Sequence, residues 1–130
     1  MKTRNQEIAA DVFRRVQEIE RHPKKKQYGA MSHKLPVLIK TAGLAQALGF
    51  VDAKSKSDSG RILATLLEDL AGTIGTINNT SLTKTDLLNQ SRNAELPDYL
   101  RLSRQSIAAL LWYKRFAQSV LGIEQGESED

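Results

Sequence analysis

Residues 97–121 read P-D-Y-L-R-L-S-R-Q-S-I-A-A-L-L-W-Y-K-R-F-A-Q-S-V-L, and a periodic run of this length commits the chain to one long amphipathic helix. Pro97 suits the first turn, where its missing N–H removes no helical bond. At about 100° per residue, Leu100, Ile107, Leu110, Leu111, Ala117, Val120 and Leu121 gather on one side, which is expected to be buried. Arg101, Arg104 and Arg115 fall on the other. Trp112, the only tryptophan, projects close to that arginine stripe, and an aromatic ring among guanidiniums is a combination that contacts phosphates and nucleobases. The plainer reading is that the arginines are simply solvated and the indole closes the edge of a core.

The helical period recurs upstream. Thr3 and Gln6 have the spacing of a reciprocal N-terminal cap, and Ile8, Val12, Val16 and Ile19 follow on one face until His22-Pro23 is expected to end the helix. Residues 27–33 form a short helical stretch that meets Pro36, whose ring and missing N–H either break the rod or bend it. Residues 35–51, L-P-V-L-I-K-T-A-G-L-A-Q-A-L-G-F-V, are apolar on nearly every side, the pattern of a helix at the centre of a bundle with Leu38 and Leu48 inside. Gly43 and Gly49 are unfavourable there unless close packing needs them.

The polar residues 52–60, D-A-K-S-K-S-D-S-G, read as a mobile connector within one core. Ile62, Leu63, Leu66, Leu67, Leu70 and Ile74 then mark a strongly amphipathic helix, expected to end at a left-handed cap near Gly75, with a loop over 76–82. Thr83 and Asp86 repeat the capping spacing before a short helix that carries Leu87 and Leu88 and stops before Asn93. No alternating strand pattern and no internal repeat appears. The expected architecture is all-α: a single-domain bundle of five to six helices over residues 1–122, with a kink or break at Pro36, a long C-terminal helix, and an acidic flexible tail over 123–130.

A chain of 130 residues is long enough for one core that removes about two thirds of its unfolded surface from water. It has no cysteine, which excludes disulfides, thiolate metal sites and cysteine nucleophiles. The opening M-K-T-R-N-Q-E-I lacks a signal peptide's apolar run and no window reaches the length of a membrane span, so a cytoplasmic location without membrane partners is expected. The net charge of +4 is unevenly spread: residues 1–40 carry ten lysines or arginines against four acids, including the Lys24-Lys25-Lys26 run. A polyanion is the partner this suggests, although helical proteins also carry a small basic excess for solubility.

Nothing in the sequence supports catalysis. His22 and His33 flank the lysine run without metal-ligand spacing and read as surface residues. Glu68 and Asp69 are adjacent, so a helix splays them about 100° apart and they read as a solvated face. No phosphate loop or nucleophile motif surrounds the glycines or serines. No cofactor and no metal site is expected.

Two blocks are more specific. L-P-V-L-I-K-T-A-G-L-A-Q-A-L-G-F at 35–50 and Y-L-R-L-S-R-Q-S-I-A-A-L-L-W-Y-K-R-F-A at 99–117 resemble the signature blocks of the Cmr small-subunit family, the fifth protein of the type III-B CRISPR RNA-guided effector. The resemblance covers most of residues 1–122. Gln105 stands where the family pattern has an acidic residue, a departure that bears on a local helix contact. The resemblance implies a non-catalytic, all-helical structural subunit that serves antiviral defence, stacks in several copies along the effector and lines the groove where guide RNA pairs with target RNA. Its implied partners are the repeated backbone subunit, the large subunit, further copies of itself, and both RNAs. Because base pairing supplies sequence recognition in such a machine, the protein around it needs only backbone contacts. The candidate RNA-contacting residues are Lys24, Lys25, Lys26, Arg101, Arg104, Trp112, Lys114 and Arg115. The isolated chain is expected to be monomeric.

The alternative is a free-standing helical nucleic-acid-binding regulator. A helix-turn-helix needs a tight turn before its recognition helix, and residues 75–82 are long and Asn-rich for that purpose.

Overall fold

The Thr3 hydroxyl accepts from the Gln6 backbone N–H at 3.1 Å while the Gln6 side chain accepts from the Thr3 N–H at 2.8 Å, so a reciprocal cap opens α1 (Arg4–Gln17). The computed structural model describes residues 1–126 and continues with α2 (Lys25–Ala42), α3 (Leu44–Lys54), α4 (Ile62–Ile77), α5 (Lys84–Asn93) and α6 (Leu96–Ser119). α5 has the same device, Thr83 capping the Asp86 N–H and Asp86 accepting from the Thr83 N–H, both at 3.1 Å. Among the described residues there are six helices and no strand, an all-α single domain.

The structure corrects several boundaries. α1 stops at Gln17, and tight turns occupy the stretch to Pro23. Pro36 lies inside α2 without ending it. The expected helix over 35–51 is instead divided at Gly43, whose φ of 89° is open to a residue without a Cβ and costly to others. Residues 35–42 thus finish α2, while residues 44–54 form α3 and take in the first three positions of the expected connector. Gly49 is exposed with open space around it, so close packing is not its reason. Gly75 is also not a left-handed cap: α4 runs on to Ile77, and the positive φ falls on Asn79 at 55°. α5 reaches Asn93.

α4 is the centre of the bundle and packs against every other helix. Its Leu66, Leu67, Leu70 and Ile74 are fully buried, each contributing about 1.5–3 kcal/mol by leaving water. Leu48 is fully buried, whereas Leu38 is half-buried against the core. α6 lies along α2 and α1. It runs antiparallel to α2: the Tyr99 hydroxyl at the start of α6 accepts from the Ala45 N–H at 3.3 Å just beyond α2, while His33 in α2 bonds the Ile123 carbonyl at 2.8 Å just beyond α6. His33 is therefore buried, not a surface residue. His22 is exposed and its Nδ1 accepts from the Lys24 N–H at 2.9 Å. Ile123, placed in the expected tail, is buried beneath α2; residues 127–130 of that tail lie outside the described residues.

A polar network crosses this apolar interior. Asp11 is 4% exposed and accepts from Arg15 at 2.9 Å, Arg14 at 2.8 Å and the Thr73 hydroxyl at 2.7 Å. Burial by itself would raise its pKa, but the bonds from Arg15 and Thr73 and the nearby guanidinium charges outweigh it and hold the carboxyl below its ordinary range. Asp69 is not on a solvated face: it is half-buried and accepts from the buried Tyr28 hydroxyl at 2.7 Å. Burial pushes its pKa up to about 6, against the Tyr28 bond and the Arg15 charge. Its neighbour Glu68 is exposed and accepts from the Lys84 N–H at the start of α5.

Candidate nucleic-acid interface

The exposed side of α6 follows from which of its residues the core accepts. Leu102, Ser106, Ala109, Leu110, Tyr113 and Ala117 are buried, a narrower stripe than the expected one. Leu100 and Leu111, expected inside, are 45% and 51% exposed, while Ile107 and Val120 are half-buried and Leu110, Ala117 and Leu121 lie in the core. The core stripe is centred on small and hydroxylated residues that a search for large aliphatics passes over: Ser106 and Ala109 bring the helices close, and Tyr113 pairs its hydroxyl with Thr73 at 2.8 Å.

Arg101, Arg104, Leu111, Trp112 and Arg115 stand on the outward side at helical spacing. From Arg101 to Arg115 the row covers about 21 Å of helix axis. Arg101 is loosely paired with Asp98 at 3.4 Å. Arg104 and Arg115 are exposed and have no acidic partner among the described residues. Lys114 is half-buried and turned about 100° from Arg115, off the row.

Trp112 is fixed in place. Its Nε1–H donates to the Asn5 side chain of α1 at 3.0 Å, and its ring stacks on Phe116 with centroids 5.6 Å apart and planes 24° from parallel. Phe13 meets Phe116 edge-on at 5.3 Å. One face of the indole is thus occupied by protein. Its surroundings are an open groove of about 280 Å³ lined by Asn5, Ala108, Leu111, Trp112 and Arg115, with apolar walls and a guanidinium at the rim.

The lysine run is elsewhere. Lys24, Lys25 and Lys26 lie at the start of α2, and the antiparallel packing puts that end beside the end of α6, near residue 123. It is remote from Arg101 and Arg104, so the structure does not gather the predicted basic residues into one patch: three arginines and the tryptophan share a helix face, and the lysines flank the far end.

Sequence reasoning misses the side chains that border the row near its beginning. Asn78 and Gln105 form a reciprocal amide pair, with Asn78 Nδ2–H donating to Gln105 at 3.1 Å and Gln105 Nε2–H donating to Asn78 at 2.8 Å. Gln105 is conspicuous as an amide in an acidic position, but its partner lies 27 residues away and no local spacing identifies it. Among the described residues no group of three histidine, cysteine or carboxylate side chains could hold a metal ion, and no helix is long and apolar enough to cross a membrane.

Comparisons with known proteins agree on one family. Residues 4–120 match the family model described as CRISPR-associated protein Cas_Cmr5. The chain is 39% identical over 121 residues to the CRISPR system Cmr subunit Cmr5 of Thermus thermophilus, covering 93% of this chain and 98% of that protein. The structure superposes with a TM-score of 0.80 on the X-ray crystal structure of a CRISPR-associated Cmr5 family protein from Thermus thermophilus, at 38% identity over 93% of this chain and 99% of that one. On the strength of matches that span nearly the whole bundle, the chain belongs to the Cmr5 family of CRISPR-associated proteins.

Proposed function

We propose that this chain is a non-catalytic structural subunit of a Cmr CRISPR effector, stacking in several copies and supporting the guide-target RNA groove through the exposed face of α6. The observation that carries this reading is the row Arg101, Arg104, Trp112 and Arg115 on a rigid helix whose other side is buried in the core. Guanidiniums on such a row neutralise phosphates without reading sequence, which suits a protein whose partner RNAs recognise one another by pairing. Family membership supplies the complex, because the similar Thermus thermophilus protein is named a Cmr subunit.

The partners under this reading are the backbone and large subunits, neighbouring copies and the two RNAs, in the cytoplasm. Head-to-tail stacking needs two different complementary surfaces on one protomer. The exposed large apolar side chains available to such surfaces are Phe13 on α1, Val37 on α2, Phe50 on α3, and Leu96, Leu100 and Leu111 on α6.

Purification of the tagged chain from cells that express the remaining effector subunits and a guide RNA tests the assignment. Recovery of those subunits and the guide in one particle is expected. Recovery of the chain alone, bound to a specific duplex DNA site, would replace this reading with a free-standing regulator.

A further inference from the structure

An open cleft of about 270 Å³ lies where the end of α4 and the end of α5 meet the first turns of α6. The amides of Asn78, Gln105 and Gln90, the Asp98 carboxylate and the Arg101 guanidinium surround it, and Ala94 and the buried Leu102 contribute apolar surface. Drug-sized ligand pockets begin near about 300 Å³, so the space suits one small planar group.

The donor and acceptor pattern narrows the group further. In the Asn78–Gln105 pair each amide uses one N–H and one oxygen lone pair on the other. Each keeps a second N–H and a second lone pair, and the exposed Gln90 adds a further amide. Adjacent donors and acceptors on a rigid plane match the edges of nucleobases, which asparagine and glutamine bind in bidentate fashion. Asp98 adds an acceptor for an exocyclic amino group. Arg101, at the rim, offers a plane for stacking and a charge for the attached phosphate. A peptide fits less well, because the usual grooves for peptides supply a sheet edge or a series of apolar anchors, and this cleft has two apolar residues, Ala94 and Leu102, among five polar ones.

We propose that this cleft is a nucleobase subsite, which receives a single unstacked RNA base with the Asn78–Gln105 pair and Gln90 on its polar edge and Arg101 on its phosphate. The inference rests on the reading of α6 as an RNA face and deepens it: the row begins at a cleft that holds one base and continues as phosphate contacts at Arg104 and Arg115. The interaction is weak for a free nucleotide, since one base and one phosphate bury little surface, and becomes significant only when the RNA is held by the assembly.

The test is a titration of the isotopically labelled full chain, followed through its side-chain amide NMR signals, with AMP as probe and ribose 5-phosphate as the base-free control. At millimolar concentration AMP should move the signals of Asn78, Gln90 and Gln105, and ribose 5-phosphate should leave them in place. Ala94→Phe, which fills the cleft from its lining, should abolish the AMP response. Gln90→Leu, at an exposed position, should weaken AMP binding roughly threefold to tenfold, as expected for one lost hydrogen bond. Amide signals that ignore AMP, or that answer equally to ribose 5-phosphate, overturn the proposal. The outcome is separable from that of the RNA-face reading. If the signals ignore AMP while an effector carrying Arg104→Glu and Arg115→Glu loses target affinity, the base subsite falls alone; if they answer to AMP while that effector binds normally, the cleft stands and the arginine row falls.

Discussion

The Tyr28 hydroxyl donates to the Asp69 carboxylate at 2.7 Å across the packed faces of α2 and α4. Asp69 has no guanidinium bonded to it as Asp11 has, and burial outweighs the Tyr28 bond and the more distant Arg15 charge and raises its pKa to about 6. The folded protein therefore holds this proton more tightly than the unfolded chain, whose aspartates titrate near about 3.9. The stability contributed by the protonated form is fully present below that value and is lost as pH rises through about 6. Asp69→Asn, which still accepts from Tyr28, should gain about 1–3 kcal/mol over the parent at a pH of about 8 and nothing at about 4. Urea unfolding at the two pH values reads the difference, and an equal change at both would mean that Asp69 is not the titrating group.

Arg15 crosses α4 above Gly72, where a Cβ would stand 2.6 Å from its guanidinium carbon. Gly72→Ala must displace that side chain and loosen its bond to the buried Asp11. Ala at this helix-interior position returns about 1 kcal/mol, so a net loss of at most about 2 kcal/mol is expected. Because Asp11 is held below its ordinary range, its contribution is present above the unfolded pKa and disappears as pH falls through the folded one. The Gly72→Ala penalty should accordingly shrink in acid, which thermal melts from neutral to strongly acidic pH would show. A penalty that is constant across that range contradicts the link to Asp11.

Leu48 is fully buried and Leu38 is only half-buried at the edge of the core. Leu48→Ala should cost about 2–5 kcal/mol through lost transfer energy and a cavity. Leu38→Ala should cost about 1 kcal/mol, since a partly exposed site has less apolar surface to return to water and water fills the gap. Thermal unfolding of the two variants distinguishes them, and equal losses would place both side chains at the same depth.

Local signals are legible where one short stretch decides the outcome. The capping pairs Thr3–Gln6 and Thr83–Asp86 form as their spacing predicts, and the apolar repeat of α4 lies inside the bundle. Helix ends are less legible. By sequence Gly43 reads as a packing residue within a helix, and only its backbone conformation reveals the break between α2 and α3. Periodicity misjudges the buried side of α6 at Leu100 and Leu111 because it weights large aliphatics, whereas Ser106, Ala109 and Tyr113 are what α2, α1 and α4 accept. His33 and Asp69 look solvated in the sequence because their partners, Ile123 and Tyr28, are 90 and 41 residues away. In the candidate site, the arginine row and Trp112 are visible as a helical face, while the amide pair at its edge depends on a contact between α6 and the end of α4 that no spacing encodes.

Under the proposed function, the arginine row on α6 contacts RNA within the assembled effector. The most direct test is target-RNA binding by a reconstituted complex in which Arg101, Arg104 and Arg115 of this chain are all replaced by Glu, measured across a salt series. The three side chains are exposed, so helix content and melting should stay close to the parent's. Normal assembly is expected, with weaker target binding at low salt and a shallower dependence of log affinity on log salt, by about 0.7 for each phosphate of a single strand that is no longer neutralised. A variant complex that assembles normally and binds target with the parent's affinity and salt slope would contradict it.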